Sequence, residues 1–398
     1  MEGPETHYRI EPCLLEAYLP QVADLVADIV STAGSLGNRL HPLTAANLAD
    51  MVRVMNCYYS NLIEGHNTRP RDIERAMNDD LDDVEDRRSL QLEARAHIRV
   101  QAQIDDLHKR GELPNPASQE FLRWVHRAFY EDAPSYVLQV SGPQGNFQMI
   151  PGEFRHEPRE DNVVGQHRPP SSPMVAGFMQ YFEKRYPFST MGSSEKIVAM
   201  ATSHHRFNYI HPFADGNGRV SRLMSHAMTL QAGIGAHGLW SISRGLARGL
   251  SDRGEYKRMM DLADTPRQGD LDGRGNLSQK ALDEFVTWFL SVALDQLQFM
   301  SRLFDLENLS VRLIEYVTRE LRLQEHCVLF VQEVFRRGEV PRGEASRIMG
   351  RPDRTARDML RKLVESGLIA SRTPKGPVHL RFSTFSAEAL FPRLFPPA

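Results

Sequence analysis

Apolar residues recur at intervals of three and four along most of this 398-residue chain, which is the spacing of one buried helix face. The exception is 137–173, where the short segments VLQV, NFQMI and NVV are separated by Gly and Pro and followed by RPPSSP. This stretch predicts a small hairpin or loop insertion in a helical body. The predicted helices cover 13–30, 43–59, 84–110, 119–130, 174–186, 193–208, 217–232, 252–264 and 278–335. The pattern therefore predicts a mainly α fold.

The C-terminal part has a different pattern. Segments 344–350 and 353–367 predict two short helices joined by a turn, and 368–383 predicts two strands around a Pro/Gly tip. This order is typical of a winged helix-turn-helix. Within 336–381 there are 12 Lys and Arg against 5 Asp and Glu, a net charge of +7 that leaves −10 for the rest of the chain.

The second of these helices carries Arg354, Arg357 and Arg361 at spacings of three and four, which places them on one face. A helix that contacts DNA needs such a basic face. The same face would also suit a solvated surface used for protein docking or dimerisation. Both interpretations stay open at this point.

Composition narrows the class of protein. The hydrophobic fraction of 41%, the charged fraction of 25% and the net charge of −3 are ordinary for a soluble globular protein of two or three domains. The three cysteines form no CxxC pair, which favours a reducing compartment. We find neither a signal-peptide pattern nor a run of about 18 apolar residues. We therefore expect a cytoplasmic protein with no membrane partner.

Residues with chemical potential concentrate in 211–222, which reads HPFADGNGRVSR. Glycines 216 and 218 let backbone N–H groups approach a ligand, and a loop of this kind entering a helix forms an anion-binding nest. Arg219 and Arg222 share a helix face and suit a polyphosphate. Asp215 offers an oxygen ligand for Mg²⁺, and His211 can accept a proton near neutral pH. Each residue alone would fit a capped helix with surface arginines, but the combination predicts nucleotide chemistry.

The same segment matches in full the signature HPFx[DE]GNGRxxR, and the chain therefore resembles Fic-domain proteins. The resemblance implies a Fic-type helical bundle with a small β-hairpin flap, and Mg²⁺-dependent transfer of AMP from ATP to a protein hydroxyl. It implies that His211 is the general base towards a Tyr, Ser or Thr hydroxyl and that Asp215 is the Mg²⁺ ligand. It also implies that the phosphates are bound by the rest of the motif: the α- and β-phosphates by Gly216, Asn217 and Gly218, and the outer phosphates by Arg219 and Arg222. Relatives that phosphorylate their targets carry Lys where this chain has Gly218.

Two further segments resemble the nucleotide-binding parts of the family. Val164, Gly165, Gln166 and His167, followed by two prolines, resemble the flap (about 145–170) that pins a target segment by strand-like pairing. Tyr256 lies where the family often has a tyrosine pair near the adenine. Lys257 replaces the second tyrosine, and Asp264 stands where Asn is common, so adenine recognition is left open.

The segment SNLIEG at 60–65 resembles the inhibitory motif [ST]xxxE[GN] of the family. Ser60 and Glu64 are four residues apart, on one face of a helix predicted over about 43–65. The resemblance implies that Glu64 pairs with Arg222, takes the place of the γ-phosphate and holds ATP in an unreactive pose. The alternative is an ordinary helix end with Gly65 after the last turn.

We therefore divide the chain into an N-terminal region with the inhibitory helix (1–115), a catalytic core (116–300) and a linker with a winged-helix-like module (301–398). The expected function is an autoinhibited protein AMP transferase that acts on another protein or on itself, with ATP as substrate and Mg²⁺ as cofactor. The family often forms dimers, so the resemblance makes a homodimer one option, and the sequence leaves the oligomeric state open. The alternatives are a DNA-binding regulator whose Fic site senses nucleotide, or a Fic enzyme that removes AMP or uses another nucleotide.

Overall fold

Helices make up most of the chain, which confirms the prediction of a mainly α fold. The computed structural model describes residues 5–66, 68–165 and 167–395. The α-helices of this part are α1 (Pro20–Asn38), α2 (Pro42–Ile63), α3 (Pro70–Met77), α4 (Glu85–Lys109), α5 (Gln119–Tyr130), α6 (Val175–Arg185), α7 (Ser193–Ile210), α8 (Asn217–Gln231), α9 (Ile242–Arg248), α10 (Glu255–Ala263), α11 (Gln279–Leu303), α12 (Leu306–Glu315), α13 (Glu325–Arg337), α14 (Ala345–Met349), α15 (Asp353–Glu365) and α16 (Thr384–Leu390). Within the described ranges, no helix is both long and apolar enough to cross a membrane.

Short antiparallel sheets accompany the helices. Strands β1 (Gln139–Gly142) and β2 (Gly145–Gln148) form a hairpin in which Val140 is opposite Phe147. The hairpin lies in the stretch where the sequence predicts one. Near the C-terminus, β3 (Glu339–Val340), β4 (Ile369–Ala370) and β5 (Val378–Leu380) form a sheet with the order β3-β5-β4.

The predicted helix 278–335 is wrong as a single element, because the chain breaks it twice. Helix α11 ends before Phe304, and the Asp305 side chain accepts a hydrogen bond from the Asn308 N–H at 3.1 Å, which starts α12. A second break follows a π-helical turn at Tyr316–Glu320. The apolar spacing continues across the first break, since Phe304 and Leu309 are both buried, so the pattern alone does not show it. The first helix also starts later than predicted, at Pro20, because proline suits the first turn of a helix.

Helices α7 and α8 form the centre of the fold and are buried along most of their length. They pack against each other and are joined by 211–216. Helix α11 packs on α7 and on α1, and α2 packs on α4 and α9. Because buried helices surround both ends of the loop 211–216, its position is fixed by the core.

The C-terminal end of the chain packs back onto α2. The Thr44 hydroxyl, near the start of α2, donates to the Phe335 carbonyl at 2.9 Å. The Tyr59 hydroxyl, in the last turn but one of α2, donates to the Leu394 carbonyl at 3.1 Å. Leu390 and Leu394 are fully buried. The helix predicted to carry the inhibitory motif is therefore held by the C-terminal part of the chain at both of its ends.

This packing predicts a stability effect at Leu390. We expect Leu390→Ala to lower the free energy of unfolding by about 2–5 kcal/mol, because it leaves a cavity in a fully packed site. Urea denaturation followed by circular dichroism would measure it. Leu271→Ala is the matched control, since Leu271 is fully exposed and its loss should cost less than about 0.5 kcal/mol. Equal effects of the two substitutions would contradict the packing.

Candidate active site

His211 occupies the first position after α7 in a left-handed backbone conformation, with φ 50° and ψ 59°. Its N–H donates to the Phe207 carbonyl at 2.9 Å, which closes the helix. Burial and the positive charges of Arg155 and His167 lower the pKa of His211 to about 4, against a smaller opposing effect of Asp215. The imidazole is therefore neutral at pH 7 and can accept a proton.

The loop after His211 is built from glycine and an amide clamp. Gly216 has φ +80°, and a Cβ there would lie 2.8 Å from the Tyr130 hydroxyl oxygen. Asn217 begins α8, and its side-chain amide accepts from the Phe213 N–H at 2.9 Å and donates to the Phe213 carbonyl at 2.8 Å. The Asn217 side chain thus fixes the loop, and the free backbone N–H groups of the first turn of α8 remain for a ligand.

A cavity of about 640 Å³ opens on this loop. Its wall brings together predicted site residues that are far apart in the sequence, namely Glu64, Val164, Gly165, His167, His211, Gly218, Arg222 and Tyr256. Gln166, also predicted for this site, lies outside the described residues. The remaining predicted residues, Ser60, Asp215, Gly216, Asn217 and Arg219, lie beside this wall rather than in it.

Arg222 is held by the end of α2. Its side chain is 1% exposed, and its Nη2 lies 2.5 Å from Glu64 Oε1. The Nε of Arg222 donates to the Ser60 hydroxyl at 2.9 Å. Burial would raise the pKa of Glu64, but the charges of Arg222 and Arg219 outweigh it and lower that pKa, so the carboxylate is ionised. A buried guanidinium and a charged carboxylate therefore form one pair in the wall of the cavity.

The carboxylate of Glu64 lies against Gly218, in the first turn of α8. A Cβ added at Gly218 would collide with Glu64 Oε1 and lie 3.0 Å from Arg222 Nη1. Gly218 is the second residue of α8, so Glu64 places its negative charge at the positive end of that helix. The position that suits an anion is filled by a side chain of this chain.

Arg219 points away from the cavity, towards α4. Its Nε lies 3.2 Å from Glu93 Oε1, and its Nη1 donates to the Tyr130 hydroxyl at 2.7 Å. Glu93 also lies 3.3 Å from His66 Nδ1, just after the inhibitory motif. The structure therefore separates the two arginines, one facing Glu64 and the other Glu93.

Asp215 is the candidate metal ligand. Its Oδ2 accepts from the Tyr130 hydroxyl at 3.1 Å, and 49% of the side chain is exposed. Burial would raise the pKa of Asp215, but the Arg219 charge, the Gly216 N–H and the Tyr130 hydroxyl together lower it. The described residues contain no cluster of three or more His, Cys, Asp or Glu side chains that could hold a metal. An ionised, accessible carboxylate beside a phosphate nest nevertheless fits Mg²⁺, which is commonly bound through one or two carboxylates and substrate phosphates.

The flap side of the cavity is a tight turn. Val164 and His167 exchange two backbone hydrogen bonds, both of 3.0 Å, around Gly165. The His167 ring contacts the Tyr209 carbonyl through Nε2 at 2.8 Å and Asp264 Oδ2 through Nδ1 at 2.9 Å. Val164 and His167 thus form an isolated antiparallel bridge, separate from the β1–β2 hairpin.

Residues 116–229 match the family model described as Fic/DOC family. The chain carries a Fic domain. The protein adenylyltransferase Fic of Drosophila ananassae is 39% identical over 82 residues, which are 21% of this chain and 16% of that protein. The same-named protein of Drosophila mojavensis matches to the same extent. The chain thus spans about a sixth of the length of these relatives.

The whole fold is also similar to solved Fic structures. A Fic family protein from Desulfovibrio desulfuricans G20 has a TM-score of 0.51 at 16% identity, with 92% of this chain and 98% of that one covered. A Fic domain containing signaling protein from Bacteroides thetaiotaomicron has a TM-score of 0.50 at 17% identity, with 69% and 95% covered. At this identity the likeness concerns the fold alone.

The Fic domain contains a positioning residue that the sequence did not indicate. Arg155 is 2% exposed. Its guanidinium donates to the carbonyls of His211 at 2.7 Å, Ile210 at 3.1 Å and Pro170 at 2.6 Å. Arg155 thus ties the end of α7 to the segment after the flap. No local pattern marks it, because a single arginine in an irregular segment is usually exposed.

The sequence did not indicate His126 or His204 either, because a single histidine within a helix has no distinguishing pattern. His126 Nδ1 accepts from the Gly152 N–H at 2.8 Å, so its other nitrogen donates to the Asp215 carbonyl at 3.2 Å. His204 Nε2 lies 2.8 Å from the Tyr256 hydroxyl and orients that ring in the cavity wall. Burial lowers the pKa of His126 to about 4 and that of His204 to about 3, so both act as neutral supports.

We expect Arg155→Met to lower the free energy of unfolding by about 2–4 kcal/mol, because several buried carbonyls would lose their donor. Chemical denaturation would measure it. Arg159→Met is the control, since Arg159 is about half exposed and its ion pair with Glu157 contributes little. An Arg155→Met protein as stable as the control would show that this side chain does not hold the loop.

Proposed function

We propose that this chain is an autoinhibited protein AMP transferase, a nucleotidyltransferase that moves AMP from ATP to a Tyr, Ser or Thr hydroxyl. The observation that carries the proposal is the cavity in which a neutral His211 faces the start of α8 and Arg222. The name of the Drosophila relatives, protein adenylyltransferase, supports the same activity. The catalytic core would be 116–300, which includes the matched segment.

The proposed reaction is an in-line displacement at the α-phosphorus of ATP. The target hydroxyl loses its proton to His211, its oxygen forms a bond to the α-phosphorus, and the bond to the β-phosphate oxygen breaks, so that pyrophosphate leaves. The N–H groups at the start of α8, with Gly216 and Gly218, would hold the phosphates. Asp215 would hold Mg²⁺, which when bound neutralises charge on the phosphates.

The flap turn would present the target. Val163 and Val164 are exposed, at 65% and 42%, next to His167 in the cavity wall. An extended segment of the target could pair with this edge and bring its hydroxyl to His211. Tyr256 would border the base, while Lys257 and Asp264 line the same end of the cavity.

Glu64 would act as the brake. Its carboxylate satisfies Arg222 and sits against Gly218, so an outer phosphate would meet a negative charge and find its arginine occupied. Displacement of Glu64 would leave Arg222 buried without a counter-charge, which a phosphate can replace. ATP would therefore bind productively only when Glu64 moves away.

For the C-terminal part we propose a winged-helix module. The order α13, β3, α14, α15, β4, β5 with the sheet β3-β5-β4 supports it. The expected basic face is partly neutralised, because Arg361 pairs with Asp358 one turn earlier on α15 and lies 3.7 Å from Glu365 one turn later. We therefore propose the enzyme rather than a DNA-binding regulator.

We expect Glu64→Gly to raise transfer of label from α-³²P-ATP to proteins of a cell lysate at least tenfold, equivalent to about 1.4 kcal/mol or more. Glu64→Gln, which keeps the shape without the charge, should raise it less. The control is Glu64→Gly/His211→Ala, which should bind ATP without transferring label. Equal labelling by the wild type and by Glu64→Gly would contradict the inhibitory role of Glu64. If Glu64→Gly binds ATP but transfers no label, AMP transfer itself would be contradicted.

The low pKa of His211 predicts the pH dependence of the released enzyme. Because the pKa lies near 4, the base form of His211 persists as the pH falls and is lost only as the pH approaches that value. For Glu64→Gly we expect kcat/KM to change less than about threefold between pH 5.5 and 7.5 through this group. Circular dichroism would show that the fold persists over the range. A fall in kcat/KM that is centred near pH 6.5 and caused by protonation of His211 would contradict the prediction.

A further inference from the structure

A second cavity, of about 400 Å³, lies next to the nucleotide cavity. It is formed by the end of α2, the connection from α9 to α10 and residues 391–395. Three arginines from two of these parts line it, namely Arg248, Arg253 and Arg393. We call it the arginine cavity.

The arginine cavity carries uncompensated positive charge. Among the described residues, neither Arg248, Arg253 nor Arg393 has a carboxylate within ion-pair distance. The one acid that lines the cavity, Asp252, is paired with Arg258 at 2.7 Å. All three arginines are exposed, so their guanidinium groups are accessible to an anion that enters the cavity.

The walls of the arginine cavity also offer apolar and aromatic surface. Tyr59 and Phe395 line it, and Phe395 packs edge-on against Tyr58 with ring centroids 5.7 Å apart. A buried arginine behind the wall, Arg244, donates to the Arg393 carbonyl at 2.9 Å and stacks on Phe299. The cavity is therefore supported by fixed contacts, and its volume lies in the range of small-molecule sites.

We propose that the arginine cavity binds a phosphate-bearing small molecule, at a site that adjoins the nucleotide cavity and shares Leu62, Ala247 and Arg253 with it. Guanidinium groups bind phosphate oxygens through paired hydrogen bonds, and the rings of Tyr59 and Phe395 suit a flat organic part. The site borders the brake, because Tyr59 directly precedes Ser60, whose hydroxyl accepts from Arg222. An occupant would thus contact the helix that carries Glu64.

The test is calorimetric titration of the full chain, including 396–398, with inorganic pyrophosphate in the absence of Mg²⁺. Arg248→Gln/Arg393→Asn removes two charges that line only the arginine cavity. Asn is chosen for Arg393 because φ there is +65° and Asn tolerates that conformation. We expect this variant to bind pyrophosphate at least tenfold more weakly than the wild type.

Arg39→Gln/Arg274→Gln is the matched control, since it removes two exposed arginines elsewhere on the body. It should bind as the wild type does. Three results would overturn the proposal. The first is that the wild type does not bind pyrophosphate at millimolar concentration. The second is unchanged binding by Arg248→Gln/Arg393→Asn, which would assign the ion to the nucleotide cavity. The third is an equal loss of affinity in the control, which would indicate only a general electrostatic attraction.

Discussion

The ion pair between Arg222 and Glu64 is the interaction on which the arrangement of the site depends. Arg222 is almost completely buried, and a guanidinium in that position requires a negative partner. The end of α2 supplies it, together with the Ser60 hydroxyl. Because the buried Arg222 needs a negative partner, the end of α2 lies beside the start of α8. The Glu64 carboxylate thereby occupies the position in which, under our proposal, a phosphate would bind.

Other polar residues hold the loop between α7 and α8 in a fixed position relative to this ion pair. Arg155 binds the carbonyls at the end of α7, His126 binds the Asp215 carbonyl, and Asn217 closes the loop on itself. Each satisfies backbone groups that the loop leaves without helical partners, which is the condition for burying an irregular segment. The result is a loop held by many contacts, so that under our proposal regulation would fall to the segment that carries Glu64 rather than to the loop.

That segment is also the place where distant parts of the chain meet. The C-terminal residues contact α2 through Thr44 and Tyr59, and the arginine cavity lies against its last turns. A change in the C-terminal part would therefore act on the helix that carries the proposed brake. These contacts provide a physical path for such a coupling, because they join the two regions directly.

The sequence predicted the parts of the site that are local. The loop from His211 to Arg222 has its chemistry within one short segment, and the pairing of Glu64 with Arg222 followed from the resemblance of 60–65. It could not predict Arg155, His126 or Glu93, because their partners are distant in sequence and a lone arginine, histidine or glutamate has no distinguishing pattern. It also could not show that Arg219 turns towards Glu93, since helical spacing places Arg219 and Arg222 on one face without fixing their side chains.

The most direct test of the central claim is a crystal structure of the wild-type chain and of Glu64→Gly, each with Mg²⁺ and a non-transferable ATP analogue. Our account predicts that Arg222 stays paired with Glu64 in the wild type, with no phosphate in contact with its guanidinium. In Glu64→Gly it predicts that a phosphate oxygen takes the place of the carboxylate. A wild-type structure in which Arg222 binds a phosphate while Glu64 keeps its position would contradict the account.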